Sequence, residues 1–114
     1  MTDFSSDRTQ LRPGLGLVAL SGEVDIYTAP RFKDDLVTLI DEGATVVVVD
    51  LAEVSFIDST ALGVLISGVK RLHEVDGRLL IVAATRPVSR ILAITGLDTV
   101  LDIYPSRDEA VQAV

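Results

Sequence analysis

Val46-Val47-Val48-Val49-Asp50-Leu51-Ala52-Glu53-Val54-Ser55-Phe56-Ile57-Asp58-Ser59-Thr60-Ala61-Leu62-Gly63-Val64-Leu65 is the stretch whose reading decides the fold. It opens on four consecutive β-branched valines, closed by Asp50-Leu51. Apolar residues on successive positions are how a strand buried on both faces reads, and such strands are typically parallel and central. The strand is expected to end at Leu51, with a short connection before a helix that starts around Asp58-Ser59. Leu62, Leu65, Ile66, Val69 and Leu72 recur at helical spacing, and the run stops near Asp76-Gly77. Asp58-Ser59-Thr60 in front of it is an N-cap signature, because a short side-chain oxygen there accepts amide protons that the first helical turn leaves unpaired.

The flanks extend the same alternation. Upstream, Pro13-Gly14 is a turn signal, and Leu15–Leu20 reads as a short apolar strand closed by Ser21-Gly22. An edge strand within Phe4–Leu11 would pair with it as a hairpin. Phe32, Leu36, Leu39 and Ile40 then recur with helical period, with Thr28 as the expected N-cap, Pro30 in the first turn and Gly43 as the stop. Downstream, Leu79–Ala84 repeats the buried-strand pattern. Arg86-Pro87 opens a helix carrying Val88, Ile91 and Leu92, ended by Gly96. A brief strand at Leu101–Tyr104 and a last helix from Ser106, with Asp108 and Glu109 in its favourable first turn, complete the chain. Strands alternating with helices predict an α/β fold: a mixed, mostly parallel sheet of 4–5 strands with about four helices. Residues 1–14 are assigned to an N-terminal segment with the edge strand, and residues 15–114 to a single domain.

Hydrophobic residues make up 48% of the 114, enough to fill a core without disulfide or metal staples. There is no Cys, so a thiol nucleophile and a zinc-thiolate site are excluded, and the absence suits a reducing compartment. The formal net charge of −7 argues against nucleic acid as a partner, since such binding depends on cations that neutralise phosphates. Lys70-Arg71 and Arg86/Arg90 are the only candidate basic patches. Met1–Arg8 is polar and lacks the apolar stretch of a secretory signal, and no apolar run reaches membrane-spanning length. A cytoplasmic protein without membrane partners is therefore expected.

Catalytic chemistry is hard to assemble from these residues, and a non-enzyme without cofactor or metal is expected. The one His, His73, lies toward the far end of the helix that Ser59 begins. At about 1.5 Å rise per residue the two stand on the order of 20 Å apart, which rules out a Ser-His-Asp triad. Gly14-Leu15-Gly16-Leu17-Val18-Ala19 imitates a dinucleotide fingerprint but precedes a strand, whereas the motif works only between a strand and a helix. Asp25, Asp50 and Asp58 could converge at one sheet edge and bind Mg²⁺ weakly; Asp in turns and helix caps is the commoner explanation.

The N-cap segment supports two readings. The structural one is a cap and nothing more. The functional one starts from the small residues Thr60, Ala61 and Gly63, which would keep the helix start open to a partner approaching Ser59. A hydroxyl at a helix N-terminus is also a favourable carrier of phosphate, where exposed amides and the dipole accept an anion. Phosphorylation would add about −1.5 to −2 charges beside Asp58 and Glu53 and repel an acidic partner docked there.

Three blocks carry a resemblance to STAS domains, and specifically to the bacterial anti-sigma factor antagonists. Leu20-Ser21-Gly22-Glu23-Val24-Asp25 resembles the family's Gly-Glu-x-Asp turn. Val49-Asp50-Leu51 through Phe56-Ile57-Asp58-Ser59-Thr60-Ala61-Leu62-Gly63 resembles its phosphorylation segment. Gly77-Arg78 to Ile81, with Pro87-Val88 and Ile94-Thr95-Gly96-Leu97, resembles its third βα unit. Ala61 stands where many relatives have Gly. The resemblance implies the STAS fold and a partner switch. The unphosphorylated chain would bind an anti-sigma factor, a serine kinase of the GHKL type, and free a sigma factor for transcription. Phosphorylation of Ser59 would end the complex, and a PP2C-type phosphatase would restore it. Ser59 is then the phosphoacceptor and Thr60 a second candidate. Asp25, Asp58, Ser59, Thr60, Ala61 and Gly63 are the expected partner-binding residues. A weak homodimer is compatible with this scheme. The alternative is a STAS scaffold, or a regulatory subunit of a stress-signalling or lipid-transport assembly, indifferent to the state of Ser59.

Overall fold

The computed structural model describes residues 3–114. The chain runs β1 (Ser5–Arg12), β2 (Leu15–Val24), α1 (Ala29–Asp41), β3 (Val46–Ile57), α2 (Ser59–His73), β4 (Arg78–Val82), α3 (Arg86–Ile94), a 3₁₀ turn (Leu97–Thr99), β5 (Asp102–Tyr104) and α4 (Arg107–Gln112). The five strands form one sheet in the order β1-β2-β3-β4-β5. Only the β1–β2 pair is antiparallel, across the Pro13-Gly14 turn; the other three pairs are parallel. This is the mixed, mostly parallel sheet with four helices that the alternation of patterns predicts.

Each parallel strand lies beside its predecessor in sequence, so right-handed crossovers place α1, α2 and α3 on the same face. The main core lies beneath them. Val47, Val49 and Leu51 of β3 meet Phe32 and Leu36 of α1, Leu65 and Leu72 of α2, and Val88 and Leu92 of α3, all of them at most 1% exposed. The opposite face holds a smaller cluster of Leu15, Leu17, Val48, Leu80 and Val82, covered by α4 through the fully buried Ala110. Asp50 stands on that second face. Its carboxylate accepts the Ala52 amide at 2.9 Å and pairs with the Arg107 guanidinium at 2.8 Å, which fixes the first residue of α4 to the central strand.

The edge strand is fastened in a similar way. Asp35 of α1, buried, accepts the hydroxyl of Ser6 and pairs with Arg8 at 2.7 Å, while Arg31 donates to the Ser6 carbonyl at 3.2 Å. From Asp7 to Arg12 the outer strand is otherwise exposed.

Two strands are longer than their apolar runs. β2 continues through Ser21-Gly22 to Val24, and β3 continues past Leu51 to Ile57, so no loop separates β3 from the Asp58 cap. The extensions pair with each other, from Ser21↔Glu53 to Val24↔Ile57, with register shifts at Ala19/Ser21 and Gly22/Glu23. Gly22 sits at φ +85°, where a Cβ would fall 2.5 Å from the Asp3 carbonyl oxygen, so the irregular register depends on glycine at this point. Of β3, only Val46–Asp50 pairs with β4, which leaves the distal half of β3 without a strand on that side. Thr85, just before α3, donates its hydroxyl to the Val54 carbonyl at 3.0 Å there.

Candidate functional site

Val24 and Ile57 are register partners at the C-terminal ends of β2 and β3, so the residues after them, Asp25 and Asp58, begin two neighbouring segments at one sheet edge. The Asp58 amide donates to the Val24 carbonyl at 3.2 Å and ties the segments together.

Asp58 caps α2. Its Oδ1 accepts the Thr60 amide at 2.9 Å and the Ala61 amide at 3.1 Å, and its backbone carbonyl takes the Leu62 amide. Ser59 is thereby the first helical residue, exposed, with its backbone placed by the cap behind it. The cap also corrects an expectation. The Thr60 and Ala61 amides are already engaged by Asp58, so they are not open to receive an anion carried on Ser59.

Asp25 does the corresponding work for α1, by a different route. Its Oδ1 accepts the amides of Tyr27 at 2.9 Å and Thr28 at 3.1 Å, and its carbonyl takes the Ala29 amide at 2.7 Å. Thr28 occupies the N-cap position but makes no side-chain cap. Its hydroxyl accepts the Asp25 amide and donates to the Glu23 carbonyl, each at 2.9 Å. The loop Asp25–Thr28 is therefore closed on itself, and it turns Ile26 and Tyr27 outward at 62% and 89% exposure. Phe56, near the end of β3, is 48% exposed at the same edge.

Of the residues expected at the site, Asp25, Asp58, Ser59 and Thr60 are gathered here, and Gly63 lies one turn along the exposed side of α2. Ala61 is not on the surface. At 1% exposure it belongs to the main core, because the first turn of α2 directs that position toward the sheet. Asp50 does not join Asp25 and Asp58; it is opposite Ala19 and Val82 in the middle of the sheet and is committed to Arg107. Among the described residues no group of three or more His, Asp or Glu side chains is gathered to hold a metal ion. His73 is exposed at the last residue of α2, the end remote from Ser59. Ile26, Tyr27 and Phe56 escaped the sequence reading. The signal for the first two is their place between the cap residue and the helix, outside the helical period.

Residues 8–110 match the sequence profile of the STAS domain. The chain belongs to the STAS domain family. This STAS domain is 37% identical over 86 residues to an anti-sigma-B factor antagonist of Staphylococcus epidermidis, covering 75% of the chain and 80% of the relative. It is 35% identical over 95 residues to the anti-sigma-B factor antagonist of Bacillus subtilis (strain 168), covering 83% and 86%. The crystal structure of an anti-sigma factor antagonist from Mycobacterium paratuberculosis superimposes with a TM-score of 0.88 at 28% identity, over 98% of this chain and 94% of that one. The resemblance read from the three sequence blocks is borne out. Within the STAS domain, no helix of the described residues is long and apolar enough to cross a membrane.

Proposed function

We propose that this STAS domain is a cytoplasmic anti-sigma factor antagonist whose partner binding is switched at Ser59. The observation that carries the reading is an exposed hydroxyl on the first residue of α2, immediately after the Asp58 cap, in a chain whose relatives bear the name of anti-sigma-B factor antagonists. The unphosphorylated chain binds an anti-sigma factor of the GHKL serine-kinase type through the edge formed by the Asp25 loop, Phe56 and the start of α2. Binding releases the sigma factor.

The Ser59 hydroxyl oxygen then attacks the γ-phosphorus of ATP held by the kinase, ADP leaves, and the hydroxyl proton passes to a base of the kinase. ATP and its metal belong to the kinase, so the chain itself carries no cofactor. Because Asp58 occupies the Thr60 and Ala61 amides, the new phosphate stays directed at solvent instead of folding back on the helix. Its charge of about −2 is added to a surface that already bears Asp25, Asp58 and Glu53, and it falls where the partner sits. A PP2C-type phosphatase hydrolyses the ester and resets the surface.

The test is a paired pull-down from host lysate with wild type and Ser59→Asp, followed by the same comparison with enzymatically phosphorylated protein. A GHKL-type kinase retained by wild type and lost with both modified forms is the expected result. Equal recovery of scaffold or transporter components by all three would replace the switch with a STAS scaffold or regulatory subunit.

A further inference from the structure

Helix α2 contains two glycines with opposite physical situations. At Gly68 a Cβ would lie 2.7 Å from Cδ2 of Leu36, so glycine is what allows α1 and α2 to close on each other at that level. At Gly63, in the same helix, a Cβ would meet nothing within 4 Å. The backbone there is ordinary helix, and positive φ among the glycines is confined to Gly14, Gly22, Gly43 and Gly96. Neither packing nor conformation requires Gly63, yet a glycine inside a helix weakens it relative to alanine.

What Gly63 does is leave space. The two helices, closed at Leu36 and Gly68, part toward their N-termini and leave a groove of ≈ 380 Å³. Ala29, Pro30 and Lys33 form one wall; Thr60, Gly63, Val64 and Ser67 form the other. The lining is mostly apolar, and Lys33 is its one charged member, without an ion-pair partner among the described residues. The groove begins at Thr60, next to Ser59, and so is continuous with the edge assigned to the partner.

We infer that this groove seats one apolar side chain of the anti-sigma factor, with a carboxylate of the same factor paired to Lys33, and that Gly63 is present to admit it. The inference rests on the function proposed above. Lys33 is exposed at the mouth of the groove with no ion-pair partner among the described residues, so its ammonium is free to meet an anionic group of the occupant. A carboxylate of the partner placed at Lys33 would fix its register on the groove.

The experiment is isothermal titration of the purified anti-sigma factor, recovered and identified with wild type, into wild type, Gly63→Ala, Gly63→Leu, Lys33→Glu, Lys33→Arg and Ser59→Asp, with a thermal melt of each. Gly63→Ala is expected to melt roughly 4 °C higher and still bind more weakly, a combination that a folding defect cannot produce. Gly63→Leu, which fills the groove, is expected to lose about 10–100-fold in affinity. Lys33→Glu loses affinity in a salt-dependent way, and Lys33→Arg restores it. Wild-type affinity in both Gly63 variants, alongside loss in Ser59→Asp, would overturn the groove and leave the switch standing. Failure of wild type to bind any anti-sigma factor would remove both.

Discussion

The two faces of the sheet are built on different principles. Under α1, α2 and α3 the contacts are almost wholly apolar, from Phe32 and Leu36 through Leu65 and Leu72 to Val88 and Leu92. Under α4 a six-residue helix covers a smaller apolar cluster with one buried Ala110, and its position is fixed by the Asp50–Arg107 pair. A helix that short has little stability of its own and depends on docking. The three-helix face therefore carries the stability of the domain, while the α4 face works as a latch. Ser59 belongs to the first of these: the start of α2 is held rigidly because the rest of that helix is set in the main core.

The contrast can be put at risk by four substitutions, in falling order of expected effect. Leu65→Ala, at 1% exposure beneath the three helices, should cost about 2–5 kcal/mol in chemical denaturation. A smaller loss than that of the α4-face variant would reverse the assignment. Arg107→Ala leaves the Asp50 carboxylate without its cation. Because Arg107 is itself 48% exposed, the cost is set at about 1–3 kcal/mol, below that of a fully buried pair. Hydrogen exchange should then show faster exchange in α4 and β5 with the amides of α1 and α2 unchanged; uniform loss of protection would mean that α4 is no separate latch. Asp58→Ala removes the α2 cap and should cost about 1 kcal/mol, largely recovered in Asp58→Asn, which can still accept from the Thr60 amide. Amide NMR shifts at Thr60 and Ala61 check this directly, and unchanged shifts in the alanine variant would contradict the cap. Tyr27→Ala, at a side chain 89% exposed, should change stability by no more than about 0.5 kcal/mol. It should nevertheless weaken anti-sigma factor binding roughly tenfold, as loss of an aromatic anchor does.

The centre of the fold was legible because Val47–Val49 and Leu79–Val82 are buried on both faces and so are apolar at every position. The distal halves of β2 and β3 were not. Beyond Asp50, β3 has a strand on one side only, and its exposed positions are Glu53, Ser55 and Phe56. That mixture reads as a connection because the usual alternation is broken by the register shifts. At the site, Asp58 and Ser59 were legible since a cap is local chemistry between residues two or three apart. Asp25 was expected near them, but its own capping loop was not, because the oxygen that closes the loop lies three residues before the position at which a cap is sought. The joining of Ile26, Tyr27 and Phe56 at one edge depends on the pairing of β2 with β3, which no local pattern encodes. Ala61 illustrates the opposite error: a small residue near a candidate phosphoacceptor reads as surface, yet its phase on α2 sends it inward.

The sheet has two open margins, and neither invites another strand. Along β1, the outer residues include Asp7, Arg8 and Arg12, and a neighbouring chain laid against them would have to desolvate those charges. At the opposite margin β5 offers three residues before Pro105, too short a template for stable pairing. A protein with the partner exchange proposed above has to persist unbound at whatever concentration the cell makes it. Here the backbone offers a poor template for a further strand at either margin, and association is left to side-chain surfaces.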